Sequence, residues 1–277
     1  MGASNITQNV RQGLSNTESL LLASLSAKEK KIFVLKDVKA ELNCSYDSAK
    51  DLAKSLVRKK WIINLIRGVY LIVPLDAGIK SIYTEHELVI GSHLVSPYYI
   101  AYWSALNFHN LTEQTPFTIF IATTKRAGSR QVLGLKYKFV TLHEKKFFGF
   151  TKVQIGSNSV NISDLEKTLV DAFDHPEYCG GMEEVSKCLW NGMDSISFEK
   201  LISIAKKMGN STVIKRVGFL LDSLGEYKDL SEKMRKMISS GMSVLDPTMP
   251  RLGYYSTKWN LFVNVKKESL TSWKQYF

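Results

Sequence analysis

Residues 45–74 read SYDSAKDLAKSLVRKKWIINLIRGVYLIVP, and this stretch decides the fold. Ala49, Leu52, Ala53, Leu56 and Val57 recur at helical spacing, which predicts a helix over 46–60 with one buried stripe. Ser45 stands where an N-cap belongs. Ser48, Lys50, Asp51, Lys54, Ser55 and Arg58 fall on the opposite face. After Lys59 and Lys60, two β-prone runs flank Ile66-Arg67-Gly68, and Gly68 can supply the positive φ that a hairpin turn requires. Pro74 closes the unit, because it has no N–H to give to a central strand.

Upstream, Ser15 precedes Glu18 by three residues, a capping-box spacing that predicts a helix over 16–30. Ile32-Phe33-Val34 reads as a short strand, and Leu35, Val38 and Leu42 as the apolar face of a second helix over 35–42. Helix, strand, helix, turn, helix, hairpin is the order of a winged helix-turn-helix. Short hydrogen-bonding groups at the start of the third helix and cations farther along suit a helix that meets base edges first and phosphates later. On that reading Ser45, Tyr46 and Ser48 approach base edges or the adjacent phosphates. Lys50, Lys54, Arg58, Lys59 and Lys60 hold the backbone, and Arg67 carries the wing to a minor groove or a flanking phosphate. Asp51 would repel a phosphate if it faced one, so its direction stays open. The competing reading is a small scaffold for protein contact.

The charge distribution supports a polyanionic partner. Lys and Arg number 37 against 26 Asp and Glu, a net charge of +11. Residues 1–80 hold 13 of the cations and only 7 of the anions, so over half of the excess sits in the first third of the chain. Cys44, Cys179 and Cys188 form no metal-ligand pattern, and such sparse thiols fit a reducing compartment. The opening MGASNITQNV has neither a basic nor an apolar leader region, and the most apolar run, 61–73, is broken by Asn64, Arg67 and Gly68. A cytoplasmic location without membrane contact is the expectation.

The fold class expected is α+β, an N-terminal winged helix-turn-helix followed by a larger mixed α/β domain. Residues 1–15 read as a flexible arm, 16–75 as the winged helix, 76–83 as a linker and 84–277 as the C-terminal domain. That domain divides into a mixed lobe over 84–162 and a mainly helical lobe over 163–277. Within it, helices are expected over 86–94 and 98–108, and strands over 117–122, 137–142, 147–155 and 160–162. A Gly- and Lys/Arg-containing excursion fills 123–135. Ser163 is the expected N-cap of a following helix, with Glu166 closing its capping box. Mostly helical chain is expected over 182–226, then a last helix over 230–239, and KWNLFVNV alternates like an edge strand.

Candidate chemistry in this domain is sparse. The five histidines make no HExxH-like pair, and GxGxxG, GxxxxGK[ST] and GxSxG are all missing, so no metal, cofactor or catalytic residue is expected. Asp164-Leu165-Glu166-Lys167 contains an ExK, but a nuclease needs those residues on a strand and the segment has helix-start signals. Asp171, Asp174 and His175 gather at one helix end, where a cationic His is favourable beside the dipole. Lys125, Arg126, Arg130, Lys136 and Lys138 form a second basic segment, either another phosphate-contacting surface or a solvated loop and strand.

Five segments together resemble the AbiEi antitoxin family, the regulator half of type IV abortive-infection toxin–antitoxin systems. They are LVRKKWIINLIRGVYLIVP, PYYIAYWSALNFHNLTEQTP, SDLEKTLVDAFDHPEYCGG, VIKRVGFLLDSLG and LDPTMPRLGYYSTKWNLFVNV, in that order along nearly the whole chain. The resemblance implies a DNA-binding autorepressor that recognises inverted repeats in its own promoter. It also implies an antitoxin against a toxin resembling a nucleotidyltransferase, with no stable complex required. The alternatives are a stand-alone regulator, or a C-terminal domain that enzymatically reverses the toxin's action.

Overall fold

The computed structural model describes residues 11–77, 83–271 and 273. Most of the expected arm, 1–10, and most of the expected linker, 78–82, lie outside the described residues. The chain divides into two compact units. One comprises Met1–Ser96 with Gln131–Leu135 and Gln154–Ser159; the other comprises Pro97–Arg130, Lys136–Val153 and Val160–Phe277. The architecture is mixed α+β.

In the first unit the elements run α1 (Asn16–Ala27), β1 (Ile32–Val34), α2 (Leu35–Leu42), α3 (Tyr46–Arg58), β2 (Ile62–Ile66), β3 (Val69–Ile72) and α4 (Glu87–Ser92). This order up to β3 is the one read from the sequence. The Ser15 hydroxyl accepts from Glu18 N while the Glu18 carboxylate accepts from Ser15 N at 2.7 Å, so the capping box forms. Helix α1 stops earlier than expected. Glu29 adopts φ 53, and Lys30 N turns back to the Leu25 carbonyl at 2.9 Å, a left-handed closure. Helix α3 also ends two residues short, by the same device: Lys60 takes φ 65 and Trp61 N bonds Leu56 O. Asn43, at φ 46, closes α2 and makes the turn into α3.

The strands pair antiparallel in the order β1-β3-β2, with Phe33 opposite Tyr70 and their rings stacked at 5.6 Å. Leu21, Leu25, Val38, Ala49, Ala53 and Leu56 fill the core between this sheet and the three helices. The small Ala49 and Ala53 let α3 approach closely, as its apolar spacing requires. Val57, expected in that stripe, is exposed instead. Residues 11–14 are also tied down rather than loose: Trp61 Nε1 donates to Gln12 O at 2.8 Å, and the Arg11 guanidinium lies over the Trp61 ring.

The second unit carries most of a six-stranded sheet in the order β6-β7-β5-β4-β9-β8. Its strands are β4 (Tyr99–Ile100), β5 (Thr118–Thr123), β6 (Arg130–Val132), β7 (Leu135–Thr141), β8 (Phe150–Ile155) and β9 (Asn158–Ser163). Strand β4 pairs antiparallel with β5 and parallel with β9, and β5 pairs parallel with β7. Helices α5 (Tyr102–Phe108), α6 (Leu165–Asp174), α7 (Gly181–Gly192), α8 (Phe198–Lys207), α9 (Ser211–Leu224) and α10 (Lys228–Arg235) pack with it. A small sheet, β10 (Ser243–Val244), β12 (Leu261–Val263) and β11 (Tyr254–Ser256), completes the unit.

Four expectations are corrected here. Residues 98–108 are not one helix: Tyr99 and Ile100 form a fully buried central strand, whose unalternating apolar pattern cannot be told from a helix. Leu133 and Gly134, at φ 49 and 83, make a tight hairpin that hides β6 inside the supposed excursion. The N-cap of α6 is Asp164, which accepts from Lys167 N at 3.0 Å; Ser163 ends β9 and meets the Thr168 hydroxyl instead. KWNLFVNV supplies the central strand of its small sheet, not an edge. Tyr99, Phe120 and Val140 share one hydrophobic core with Phe173, Leu220 and Trp259, so both expected lobes bury their apolar residues together.

Candidate nucleic-acid interface

Helix α3 presents Tyr46, Ser48, Lys50, Lys54 and Arg58 to solvent, and Ser45 is exposed at its N-cap. The Ser45 hydroxyl accepts from Ser48 N at 3.1 Å and lies 2.9 Å from the Ser48 hydroxyl, so these two groups hold the helix start. Tyr46 projects beside them, 55% exposed. Asp51 is exposed on the same face and pairs with Lys54 at 3.0 Å. It therefore offsets one cation of the patch. Arg67 stands exposed at the β2–β3 turn, where Gly68 adopts φ 81.

Two of the expected phosphate contacts have structural roles of their own. Lys59 Nζ is 2.6 Å from the Glu18 carboxylate, which is only 2% exposed. Ser55 also donates to that carboxylate at 2.8 Å. Lys59 thus fastens the end of α3 to the start of α1. Lys60 is half-buried and serves as the left-handed residue that closes α3. Neither role leaves a fingerprint in the sequence, where both simply extend a run of cations.

Asn64 was not singled out by sequence, yet it lies exposed on β2 opposite Tyr70. The pairing register slips between Asn64 and Ile66, a local bulge. Burial pushes the Tyr70 hydroxyl above the usual phenol range, opposed by Asn64.

In the second unit, Lys125, Arg126, Arg130 and Lys136 are exposed. Lys138 differs: it is half-buried and its ammonium lies 4.3 Å from the Tyr178 ring centre, a cation–π contact.

The polar residues of α6 are each engaged. Glu166 pairs with Lys200 at 2.7 Å and accepts from Ser197 N. Lys167 points into the core, fully buried, and meets both Asp171 and the Tyr99 hydroxyl, while Tyr99 donates to Asp171 at 3.0 Å. Glu166 and Lys167 of the ExK therefore have separate partners, and Lys167 is fully buried. Burial raises the Asp171 carboxyl, with Lys167 opposing. Asp174 takes Lys146 at 2.8 Å. His175 bonds Glu177 at 2.8 Å, stacks on Tyr178, and is raised above its ordinary value chiefly by that bond. Among the described residues, no group of three or more His, Cys, Asp or Glu could hold a metal ion. No described helix is long and apolar enough to cross a membrane.

The whole fold has a solved counterpart. The structure of the RV2827C protein from Mycobacterium tuberculosis matches with a TM-score of 0.67 at 14% identity, covering 96% of this chain and 97% of that one. No protein-family model matches the chain, and no curated protein does. At that identity the likeness extends to the fold.

Proposed function

We propose that the first unit is a winged helix-turn-helix that binds duplex DNA, with α3 as its recognition helix and the β2–β3 hairpin as its wing. The observation that carries the reading is the exposed set Lys50, Lys54, Arg58 and Arg67, gathered on one helix face and the tip of the adjoining hairpin. Lysine and arginine so placed contribute affinity by displacing counterions from phosphates. Ser45 and Ser48 support it by giving α3 a firm N-terminal start, the end that meets base edges in such domains.

With the resemblance to the AbiEi family, this makes the chain an autorepressor and antitoxin of a type IV system, acting in the cytoplasm against a toxin resembling a nucleotidyltransferase. The basic segment Lys125, Arg126, Arg130 and Lys136 adds a second region of positive charge for the same polyanion. Footprinting of the full chain on the promoter of its own gene tests the reading. Protection of an inverted repeat supports autorepression; an unprotected promoter counts against it. A neighbouring gene for a nucleotidyltransferase-like protein supports the antitoxin role.

A further inference from the structure

The first unit holds a cavity of about 710 Å³ between α1 and the chain that leaves β3. Sites for small organic molecules span roughly 300–1,000 Å³, so the size fits such a ligand. One wall is a single face of α1, formed by Ser19, Leu22, Ala23 and Ser26 at helical spacing. Leu21 and Leu25 of the same helix fill the core, so α1 is apolar on more of its circumference than the core alone covers. Ile72, Val73 and Pro74 border the cavity from the other side, and Trp61 adds an aromatic surface. Trp61 is held in place: its indole N–H bonds Gln12 O at 2.8 Å, and its backbone oxygen accepts from Val73 N at 2.9 Å. The apolar surfaces are therefore fixed before any ligand arrives.

The charge around the cavity selects among ligands. It follows α1 past its C-terminal end to Glu29, Lys30 and Lys31. Neither lysine brings an unpaired charge. Lys30 pairs with Asp37 at 2.6 Å and Lys31 with Glu85 at 3.0 Å, and neither carboxylate borders the cavity. Glu29 is exposed and has no ion pair among the described residues. The last carbonyls of a helix add negative character at the same end. An anion there would meet a carboxylate with no cation to balance it. A protonated amine is attracted both to the carboxylate and to the helix end.

We propose that this cavity is a binding site for a small organic amine, with an apolar body between α1 and residues 72–74 and its ammonium group at Glu29. The assignment does not depend on what α3 binds.

The test uses three probes with one body and three head groups: 1-naphthylmethylamine, 1-naphthylmethanol and 1-naphthoate. Each is titrated calorimetrically into the full chain at neutral pH. The amine should bind about five- to ten-fold more tightly than the alcohol, and the carboxylate should bind most weakly. Glu29→Gln should bring the amine down to the affinity of the alcohol and leave the alcohol unchanged. Ala23 is exposed, so Ala23→Phe should occupy the cavity without disturbing the core, keeping the melting temperature while abolishing binding of both. Failure of the amine to bind overturns the site, and so does undiminished binding to Ala23→Phe. A carboxylate that binds as tightly as the amine, or an amine indifferent to Glu29→Gln, overturns the ligand class. A wild-type dimer that Ala23→Phe dissociates also overturns the proposal, because it assigns this face to a second copy of the chain.

Discussion

Lys59, at the C-terminal end of α3, is 2.6 Å from the carboxylate of Glu18, in the first turn of α1. The same carboxylate accepts from Ser15 N and from the Ser55 hydroxyl. One buried group thus caps α1 and anchors α3. Burial alone would raise its pKa, but the bonds from Lys59, Ser15 and Ser55 outweigh that and bring it from 4.5 to about 2. The lowered value means that ionised Glu18 stabilises the fold above the unfolded value of 4.5, and that this contribution fades as pH falls towards about 2. It amounts to about 3 kcal/mol at most. Urea unfolding at a series of acid pH values should show Glu18→Gln losing stability less steeply than the wild type across that window.

Lys59→Ala should behave as a stability variant, not a binding variant. It leaves a buried carboxylate short of its cation, at a cost of about 2–4 kcal/mol, so the melting temperature should drop. Lys54→Ala should do the reverse, leaving melting unchanged and weakening duplex affinity. Asp51→Asn should tighten duplex binding several-fold, because it removes the anion that pairs with Lys54 on the exposed face. Paired thermal melts and anisotropy titrations separate the three.

The buried group of Lys167, Asp171 and Tyr99 predicts a non-additive pair. Asp171→Leu strands an ammonium in the core and should cost about 3–5 kcal/mol. Lys167→Met alone should cost a similar amount by stranding the carboxylate. Replacing both by apolar residues, Lys167→Met with Asp171→Leu, should recover at least half of the loss. A double-mutant cycle from chemical denaturation measures the coupling.

Gly218 sits in the middle of α9, where alanine would ordinarily gain about 1 kcal/mol of helix propensity. Here a Cβ would lie 2.1 Å from Trp259 Cη2 and 2.2 Å from Cζ3. Trp259 cannot yield easily, since it is buried and its indole N–H is bonded to Asp222 at 2.7 Å. Overpacking should win, and Gly218→Ala should lose about 2 kcal/mol or more in calorimetry.

Much of the first unit was legible in the sequence because its signals are local. The capping box at Ser15 and Glu18, the apolar spacing from Ala49 to Leu56, and the glycine at the hairpin turn each need only a few neighbouring residues. What escaped depends on distant partners. Nothing in the run Arg58-Lys59-Lys60 reveals that Lys59 is claimed by a carboxylate 41 residues away. Asn64 shows in the sequence only as a break in the apolar run 61–73, and its place opposite Tyr70 beside a register slip appears only in the paired strands. In the second unit, the central strand Tyr99–Ile100 is buried on both faces and so shows no alternation to betray it. The sequence shows Lys167 only as the lysine of an ExK, and only the approach of Tyr99 and Asp171 explains its burial.

The central claim is that the exposed cations of α3 and its hairpin tip grip duplex phosphates. It is tested most directly by the salt dependence of duplex affinity for the full chain and for a variant with Lys50, Lys54, Arg58 and Arg67 all changed to alanine. Each lost phosphate contact should lower the slope of log affinity against log salt by about 0.9, so the variant's slope should be shallower by roughly three to four with its melting temperature intact. A variant that keeps the wild-type slope would contradict the account.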